Sequence, residues 1–520
     1  MPAEKIPIEK INSDATINLA LDTIQIGEQA LIFTNTKRSA EKTAEDISLK
    51  IKECSNELDE ISEKILHAIS KPTKQCERLA RCIKKGIAFH HAGLTHKQKE
   101  IIEDSFREGR IKIIACTPSL ALGVDLPAFR SILKDLRRYG HHGLDWIPTL
   151  EYLQMAGRAG RPKFDKYGEA IAVALTEEAK KEIYERYIRG YPEDIFSKLA
   201  VEPVLRTYLL SLIATRVVAD QKSIIKFFSG TFWAFQYRDM SKLSSIILKM
   251  LRLLEEFKFI KSSESKEEFQ SAAEMFNNNY TATAIGKRVA ELYIDPLTAY
   301  YLITCIKSAF KKKTNSFSFL QMISHTLEMR PLLRARTKEY DLIEKEIIKN
   351  SDNLLENEPS IYEPEYEEFL NSVKTALFFS DWINEKDEEY LLENYNIRPG
   401  EIRVKLELAD WLLYASEELT RMLRLQKIIK EIVKLRLRLK HGVKEELLPL
   451  LRLEGIGRVR ARKLFNNKIK DISDVKKADA SKLAGILGEK IALSVKEQVG
   501  QKIKAVPKGK RKGQTSIKKF

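Results

Sequence analysis

The sequence predicts an α/β domain, built on a parallel sheet with helices on both faces, followed by mainly α-helical domains. Short apolar runs at 30–33, 86–93, 111–116 and 169–175 alternate with helix-like segments, which is the pattern of buried parallel strands joined by helices. After about Ile183 such runs mostly disappear, and apolar residues recur at helical spacing instead. The change of pattern places the α/β domain at the start of the chain.

Individual elements have local signals of their own. Thr95 is the predicted N-cap of an amphipathic helix, because its hydroxyl can accept a hydrogen bond from an amide of the first turn. The charged segment 38–85 has helix composition, and 399–423 is predicted to be one long amphipathic helix. Two glycines between apolar flanks predict a β-hairpin over 135–148.

Charge and composition narrow the classes of function. The 89 lysines and arginines exceed the 73 acidic residues and give a formal charge of +16, which favours a polyanionic partner. A lysine-rich surface of the kind found in some thermophiles stays open as the alternative. No apolar run approaches the ~20 residues of a membrane span, so no membrane association is predicted. Five scattered cysteines without a CxxC pair indicate an intracellular protein with free thiols and predict no metal site.

The stretch QMAGRAGRP (154–162) carries two arginines with small residues between them. Arg158 and Arg161 are three residues apart, so at the start of a helix they would point the same way. Gly157 and Gly160 would let the backbone come close to a ligand. Two parallel guanidiniums suit a clustered anion, most obviously a triphosphate that loses its terminal phosphate.

The stretch IIACTPSLALGVDLPAF (113–129) places polar residues directly after a predicted strand. Open parallel sheets bind ligands at the carboxyl ends of their strands, and the hydroxyls of Thr117 and Ser119 can hold a backbone phosphate of nucleic acid there. Gly123 would permit a tight turn that presents Asp125 to the same crevice. An ordinary loop with a solvated aspartate fits this stretch equally well.

The stretch LEGIGRVRARKLF (453–465) predicts a tight hairpin before a helix. Backbone amides at such a helix start bind phosphate without reading sequence. A looser copy at 484–490 suggests a paired form of the motif. The glycines of the first hairpin and the charges that support it are Gly455, Gly457, Arg458, Arg460 and Arg462.

The last twenty residues are basic and contain no acid, so we expect a disordered tail. The final residues GQTSIKKF fit the pattern Q-x-x-[I/L]-x-x-aromatic of peptides that bind a sliding clamp. Gln514, Ile517 and Phe520 would fall on one face of a single turn and fill an apolar pocket. A chance match to so short a pattern stays open.

Taken together, four stretches resemble motifs IV to VI of superfamily 2 helicases: ALIFTNTKRSAE, FHHAGL, ACTPSLALGVDLPA and QMAGRAGRP, in that order. Their residues are similar to those of the archaeal Holliday-junction-migration DNA helicases, which are relatives of the human HELQ helicase. Three later stretches, at 280–299, 409–415 and 455–465, resemble that family's winged-helix end, ratchet helix and helix-hairpin-helix module. The resemblance covers nearly all of residues 28–500.

The resemblance implies an ATP-dependent 3′–5′ DNA helicase that acts on forked or recombination DNA, with ATP and Mg²⁺ as cofactors. It also implies an archaeal, cytoplasmic protein associated with the nucleoid. The implied segments are a lead-in (1–28), a second RecA-like domain (29–185), a winged-helix domain (186–296), a helical ratchet domain (297–442), a helix-hairpin-helix domain (443–500) and the tail (501–520).

The resemblance further implies roles for residues around the nucleotide. Arg158 and Arg161 would contact the γ-phosphate of ATP and stabilise charge during hydrolysis, and Gln154 would orient their loop. Asp125, where the family has asparagine, would couple the nucleotide cleft to DNA. The implied cofactor contacts are Gly123, Gly157, Arg158 and Arg161.

DNA contacts are implied on several parts of the chain. Trp411 would stack on a base of a single strand, although its apolar neighbours leave a core position open. The family's arginine falls on the position of Val404, and either Arg403 or Lys405 beside it would supply that charge. The other implied DNA contacts are Thr34, Asn35, Thr117 and Ser119, Tyr139 and Trp146 on the hairpin, and Gly455, Gly457, Arg458, Arg460 and Arg462.

A phosphate-binding loop G-x-x-x-x-G-K-[ST] and a DExH-type box for Mg²⁺ are absent from the sequence. We therefore expect that the first RecA-like domain is supplied by a separate partner chain, or has been lost by truncation, and that the chain is inactive alone. The competing expectation is a non-catalytic adaptor that binds branched or single-stranded DNA and docks on the sliding clamp.

Overall fold

The structure, a computed structural model, divides the chain into two compact units. The first comprises Met1–Ile195 with Glu388–Val404, and the second comprises Phe196–Asp387 with Lys405–Phe520. The described residues are 6–52, 55–69, 71–140, 143–161, 165–263 and 279–501. The predicted basic tail and the clamp-binding residues Gln514, Ile517 and Phe520 therefore lie outside the described residues.

The strands and helices have the following bounds. The strands are β1 (Ala30–Phe33), β2 (Ile87–His90), β3 (Ile113–Cys116), β4 (Arg130–Leu133), β5 (Arg137–Gly140), β6 (Gly143–Trp146), β7 (Glu169–Ala172), β8 (Ile260–Ser262) and β9 (Tyr280–Ala282). The α-helices are α1 (Ala15–Gln25), α2 (Lys37–Ser48), α3 (Asn56–Leu66), α4 (Lys74–Ile83), α5 (His96–Arg107), α6 (Ser119–Gly123), α7 (Thr149–Ala156), α8 (Glu177–Ile183), α9 (Glu202–Ala214), α10 (Gln221–Ser229), α11 (Phe232–Tyr237), α12 (Met240–Glu256), α13 (Ala284–Leu292), α14 (Pro296–Lys311), α15 (Ser316–Ser324), α16 (Tyr340–Asn350), α17 (Tyr366–Ile383), α18 (Glu388–Tyr395), α19 (Pro399–Met422), α20 (Gln426–His441), α21 (Arg458–Asn466), α22 (Ile472–Lys477), α23 (Ala480–Leu487) and α24 (Glu489–Gln498).

A five-stranded parallel sheet forms the centre of the first unit, with the strand order β2-β3-β1-β4-β7. Its strands β1, β2 and β3 are buried along their whole length, as the continuous apolar runs predict for a parallel sheet. Phe33 at the end of β1 pairs with Cys116 of β3 and with Leu133 of β4. The loops that follow these three strands consequently begin side by side at one edge of the sheet.

The sequence identified β1, β2, β3 and β7 but not β4. Strand β4 begins with Arg130 and Ser131, which are polar yet buried. The Arg130 guanidinium binds Asp22 and Glu169 at 2.5 and 2.6 Å, and the Ser131 hydroxyl donates to the Met155 carbonyl at 2.7 Å. These partners are distant in sequence, so no local pattern predicts the strand.

Helix predictions in the first unit are confirmed. Residues 38–85 contain α2, α3 and α4, and Thr95 caps α5 in a capping box with Gln98. In that motif the hydroxyl of the cap residue and the side chain of the third helical residue each accept a hydrogen bond from a free backbone amide. Strands β5 and β6 pair antiparallel and form the predicted hairpin, which Gly143 enters with φ +108°.

The second unit is mostly helical in its described part. Its β8 and β9 form a two-stranded antiparallel ribbon between α12 and α13. A separate apolar core at its carboxyl-terminal end includes Val443, Leu464, Leu483 and Val495. None of the helices in the described ranges has the length and apolar character that crossing a membrane requires.

Candidate functional sites

The loops after β1 and β3 place the predicted polar residues at one edge of the sheet. Thr34 is buried at 1% exposure, and its hydroxyl lies 3.4 Å from the Cys116 carbonyl oxygen. Its side chain therefore faces the protein interior. Thr117 is half-buried and its hydroxyl lies 3.0 Å from that of the exposed Ser119. Asn35 donates through its side-chain amide to the Arg137 carbonyl at the base of the hairpin.

The prediction of a tight turn at Gly123 is wrong. Gly123 is the last residue of the short helix α6, its φ lies outside the left-handed range, and an added Cβ would meet nothing within 4 Å. Residues 119–123 form a short helix after β3 instead of a turn. Asp125, two residues later, nevertheless extends into solvent with 94% of its side chain exposed.

Arg158 and Arg161 follow a helix end, so the prediction that they begin a helix is also wrong. Helix α7 ends at Ala156, and Gly157 caps it with helical backbone angles. Gln154 is half-buried in the last turn of that helix. Beyond the cap, the two arginines no longer share one helical face, so their spacing does not make them parallel.

Arg158 lies beside the loop after β3. Its Nη1 is 3.4 Å from Asp125 Oδ1, and its Nη2 donates to the Ala121 carbonyl. The backbone around it is fixed by Ala128, whose amide donates to the Arg158 carbonyl at 3.0 Å and whose carbonyl accepts from Gly160 at 2.7 Å. This bridge holds the arginine segment against the start of β4.

Arg161 is held by a different set of acidic and polar groups. Its Nε and Nη2 donate to Asp165 at 2.8 and 2.7 Å, Nη1 donates to Gln29 at 3.1 Å, and Nη2 also binds Glu28. The hydrogen bonds with Asp165 raise the pKa of Arg161, and those with Arg161 lower the pKa of Asp165. Sequence reasoning missed these partners, of which only Asp165, four residues on, has a local signal.

The close backbone approach expected at Gly160 exists, but its neighbour is the same chain. Gly160 has φ +92°, which favours glycine. A Cβ on Gly168 would lie 2.2 Å from the Gly160 nitrogen. Gly160 and Gly168 therefore allow the segment to cross the start of β7.

The hairpin keeps its tryptophan at the base. Trp146 is half-buried, with the Arg137 guanidinium 4.1 Å from its ring centroid and the Tyr187 ring 6.1 Å away. Tyr139 pairs with Leu144 towards the turn, and the Leu144 side chain is 54% exposed. The exposed apolar residue near the end of the described hairpin is therefore Leu144, while Trp146 packs against Arg137 and Tyr187 at its base.

A buried charge cluster that sequence reasoning missed lies behind β2. Glu41, on α2, is 3% exposed and accepts hydrogen bonds from His91 Nε2 at 3.1 Å, Arg398 Nε at 3.0 Å and Arg78 Nη1 at 2.8 Å. Burial alone would raise the pKa of Glu41, but the hydrogen bond from His91 and the charge of Arg398 lower it to about 2. The Gly93 amide donates to His91 Nδ1 at 3.1 Å.

These contacts fix the state of His91. Because Nδ1 accepts a hydrogen bond, the proton of the neutral ring resides on Nε2 and points at the carboxylate. Burial lowers the pKa of His91 despite the neighbouring Glu41, which agrees with a neutral ring. The cluster thereby ties the segment Glu388–Val404, which carries Arg398, to α2 and β2 within the first unit.

In the second unit, Trp411 is half-buried on α19. Its indole Nε1 donates to the Leu292 carbonyl at 3.1 Å, so its polar edge is already used and part of its ring remains accessible. On the same helix, within the first unit, Arg403 is exposed. Trp411 is therefore neither fully buried in the core nor fully exposed for stacking on a base.

The terminal module contains the predicted glycine hairpin. Gly455 has φ +79°, and Gly457 is the N-cap of α21. The three arginines differ in their surroundings. Arg462 binds Glu385 and Glu446 at 2.5 and 2.8 Å, and Arg458 Nη2 donates to the Lys386 carbonyl at 2.7 Å. Arg460 is exposed and donates a hydrogen bond to the Gly455 carbonyl of its own hairpin.

Comparisons with known proteins identify helicase sequences in two parts of the chain. A family model for the helicase conserved C-terminal domain matches residues 13–163, and one for archaeal helicase, domain 4, matches residues 317–442. The chain is 36% identical over 531 residues to the ATP-dependent DNA helicase Hel308 of Methanococcus vannielii, across 95% of this chain and 69% of that protein. It is 38% identical to the same enzyme of Pyrococcus horikoshii, across 97% of this chain and 68% of the relative. The Methanocella arvoryzae enzyme is 37% identical, with shares of 97% and 67%.

Proposed function

The chain belongs to the Hel308 family of archaeal superfamily 2 helicases, and from that premise we propose that it supplies a second RecA-like domain and the DNA-handling domains of an ATP-dependent DNA helicase. The observation that carries the proposal is the segment from Gln154 to Arg161. It follows a helix end, crosses the start of β4 and brings Arg158 to the loop after β3. Parallel sheets bind ligands at such loops.

Arg158 needs less rearrangement than Arg161 to bind a nucleotide phosphate. Its carboxylate partner among the described residues, Asp125, is almost fully exposed and 3.4 Å away, and exposed pairs of this kind contribute only about 0–1 kcal/mol. Exchange of Asp125 for a phosphate therefore costs little. Arg161 must first leave Asp165 and Glu28, so its engagement requires a rearrangement of the segment.

The nucleotide itself requires a phosphate-binding loop that these 520 residues do not contain. We place the binding of ATP and Mg²⁺ mainly on another RecA-like domain, whether it is part of a longer chain or of a separate one. The guanidiniums of Arg158 and Arg161 carry the charge that suits a γ-phosphate, and Arg161 would reach it after it leaves Asp165 and Glu28. Within this chain they would stabilise the charge that develops during hydrolysis, while Gln154 positions their loop.

DNA handling is proposed for four features. The hairpin β5–β6 would separate strands with its exposed end at Leu144, and α9 to α13 with the ribbon β8–β9 would form a winged-helix domain. Helix α19 would track the single strand through the accessible part of Trp411. Helices α21 to α24 would form paired helix-hairpin-helix motifs, in which the amides after Gly455 bind phosphate.

The test is DNA-stimulated ATP hydrolysis by the chain mixed with a separately produced RecA-like domain that carries the G-x-x-x-x-G-K-[ST] loop. We expect turnover only in the mixture, and we expect Arg158→Ala and Arg161→Ala to lower it by about 10³–10⁵-fold without loss of DNA binding. Asp165→Asn is the matched control, because it breaks the same ion pair but keeps the guanidinium. Unchanged turnover in both alanine variants would refute the assignment, and DNA binding without turnover in any mixture would favour the clamp-docking adaptor.

A further inference from the structure

Helix α20 in the second unit carries a stripe of lysines on its outer face. Ile428, Ile432 and Leu435 point into the bundle and are buried, whereas Lys427, Lys430 and Lys434 are exposed. These lysines are spaced i, i+3 and i+7, so they lie on one face. At 1.5 Å of rise per residue, the row of charges is about 10 Å long.

The lysine stripe borders a groove with an apolar floor. Two adjoining depressions share Lys430 and Lys434, and the larger has a volume of about 520 Å³. Its far wall consists of the residues around the 3₁₀ turns Glu445–Leu447 and Leu450–Arg452. The floor between the walls consists of Val433, Leu437, Leu448 and Leu451, of which Leu437 is 44% exposed.

The charges around this groove are predominantly positive and largely uncompensated. Across the ranges that the structure describes, no carboxylate forms an ion pair with Lys427, Lys430 or Arg452. Lys434 binds Glu445 at 2.7 Å, and Glu431 accepts a hydrogen bond from Thr314 at 3.1 Å and so is directed at the bundle. Among the described residues, Lys427 and Lys430 on one wall and Arg452 on the other therefore have no carboxylate partner.

We propose that the groove between α20 and residues 445–452 binds a single strand of DNA, an inference that rests on the proposed function and names a further contact within it. The phosphates would follow Lys427, Lys430 and Arg452, while unstacked bases would lie on the apolar floor. Positive grooves that present apolar surface to bases are the usual means of binding single strands without reading sequence. A duplex keeps its bases stacked inside and would leave that floor uncovered.

The arrangement also favours nucleic acid over an acidic peptide. The cations recur every three or four residues along α20, so they form a row of charges like that of a sugar-phosphate backbone. The open, flat exposure of Leu437 next to Lys434 suits a base next to its phosphate. The strand would lie immediately before the glycine hairpin at Gly455, so both features would contact one strand within the same unit.

The test measures binding of the full chain to a fluorescent oligothymidylate by anisotropy at several salt concentrations. For Lys427→Gln/Lys430→Gln we expect the slope of log affinity against log salt to fall by about 1.4, because each contact with a single strand contributes about 0.7. At 0.1 M salt this corresponds to an affinity about 25-fold weaker. Leu437→Ser should weaken binding with the slope unchanged. The matched control is Lys338→Gln/Lys345→Gln, two exposed lysines elsewhere in the second unit, which should retain the wild-type slope.

Wild-type affinity and slope in the Lys427→Gln/Lys430→Gln variant would overturn the inference. If that variant then lost binding to polyglutamate, the groove would belong to an acidic peptide instead. A wild-type chain that does not bind oligothymidylate at all would refute the proposed function itself, so the two failures are distinguishable.

Discussion

Replacement of Glu41 by glutamine removes the buried carboxylate that accepts hydrogen bonds from His91, Arg398 and Arg78. The folded protein lowers the pKa of Glu41 from 4.5 to about 2. At about 1.4 kcal/mol for each pH unit, this difference contributes about 3 kcal/mol to the stability of the first unit at neutral pH. The glutamine variant also leaves the Arg398 and Arg78 guanidiniums beside a neutral amide.

The sign of the pH dependence follows from a folded-state pKa below the unfolded one. The contribution of Glu41 is complete above about pH 4.5 and is lost as the pH falls towards 2. The stability difference between wild type and Glu41→Gln should therefore be about 3 kcal/mol at pH 7 and about 1.4 kcal/mol at pH 3.

The measurement is urea unfolding monitored by hydrogen exchange of the β1 and β3 amides, which reports on the first unit alone. Glu60→Gln is the matched control, because it makes the same chemical change at an exposed helix position and should stay within about 0.5 kcal/mol of wild type. A difference for Glu41→Gln below about 1 kcal/mol that does not change between pH 7 and pH 3 would refute the reasoning.

Three further predictions concern the stability of the second unit and of the short helix that ends at Gly123. Arg206 and Asp295 are 4% and 8% exposed, and their side chains are joined by hydrogen bonds of 2.5 and 2.8 Å. Arg206→Ala should therefore lower the free energy of chemical unfolding by about 3–5 kcal/mol, because it leaves a buried carboxylate unpaired. A double Arg206→Leu/Asp295→Leu variant that is no more stable than Arg206→Ala would contradict this explanation. A Cβ at Gly286 would lie 1.9 Å from the Phe259 carbonyl oxygen, so Gly286→Ala should lower the thermal midpoint, with a cost of at least about 1–3 kcal/mol. Gly123→Ala meets nothing within 4 Å in a helical turn and should leave stability unchanged or raise it by up to about 1 kcal/mol; a large loss there would restore the tight turn that the sequence suggested.

Local patterns were sufficient wherever the physical cause is local. The apolar run at Ala30–Phe33 predicts a buried parallel strand, and Thr95 predicts a helix start, because burial on both faces and capping are each decided within a few residues. The hairpin was likewise predictable, since φ +108° at Gly143, the first residue of β6, favours glycine and the two strands that pair are close in sequence. The ordered motifs also sufficed to indicate the helicase family.

Partners that are far apart in sequence decided the rest. Arg130 can begin a buried strand because Asp22, 108 residues away, neutralises it. Arg161 turns away from Arg158 because Glu28, 133 residues away, and the nearby Asp165 attract its guanidinium. Spacing along the chain determines which residues share a helix face, but Coulomb attraction acts through space. The sequence by itself therefore determined the family of this protein and those elements whose cause is local, and only the tertiary structure decided β4 and where each charged side chain points.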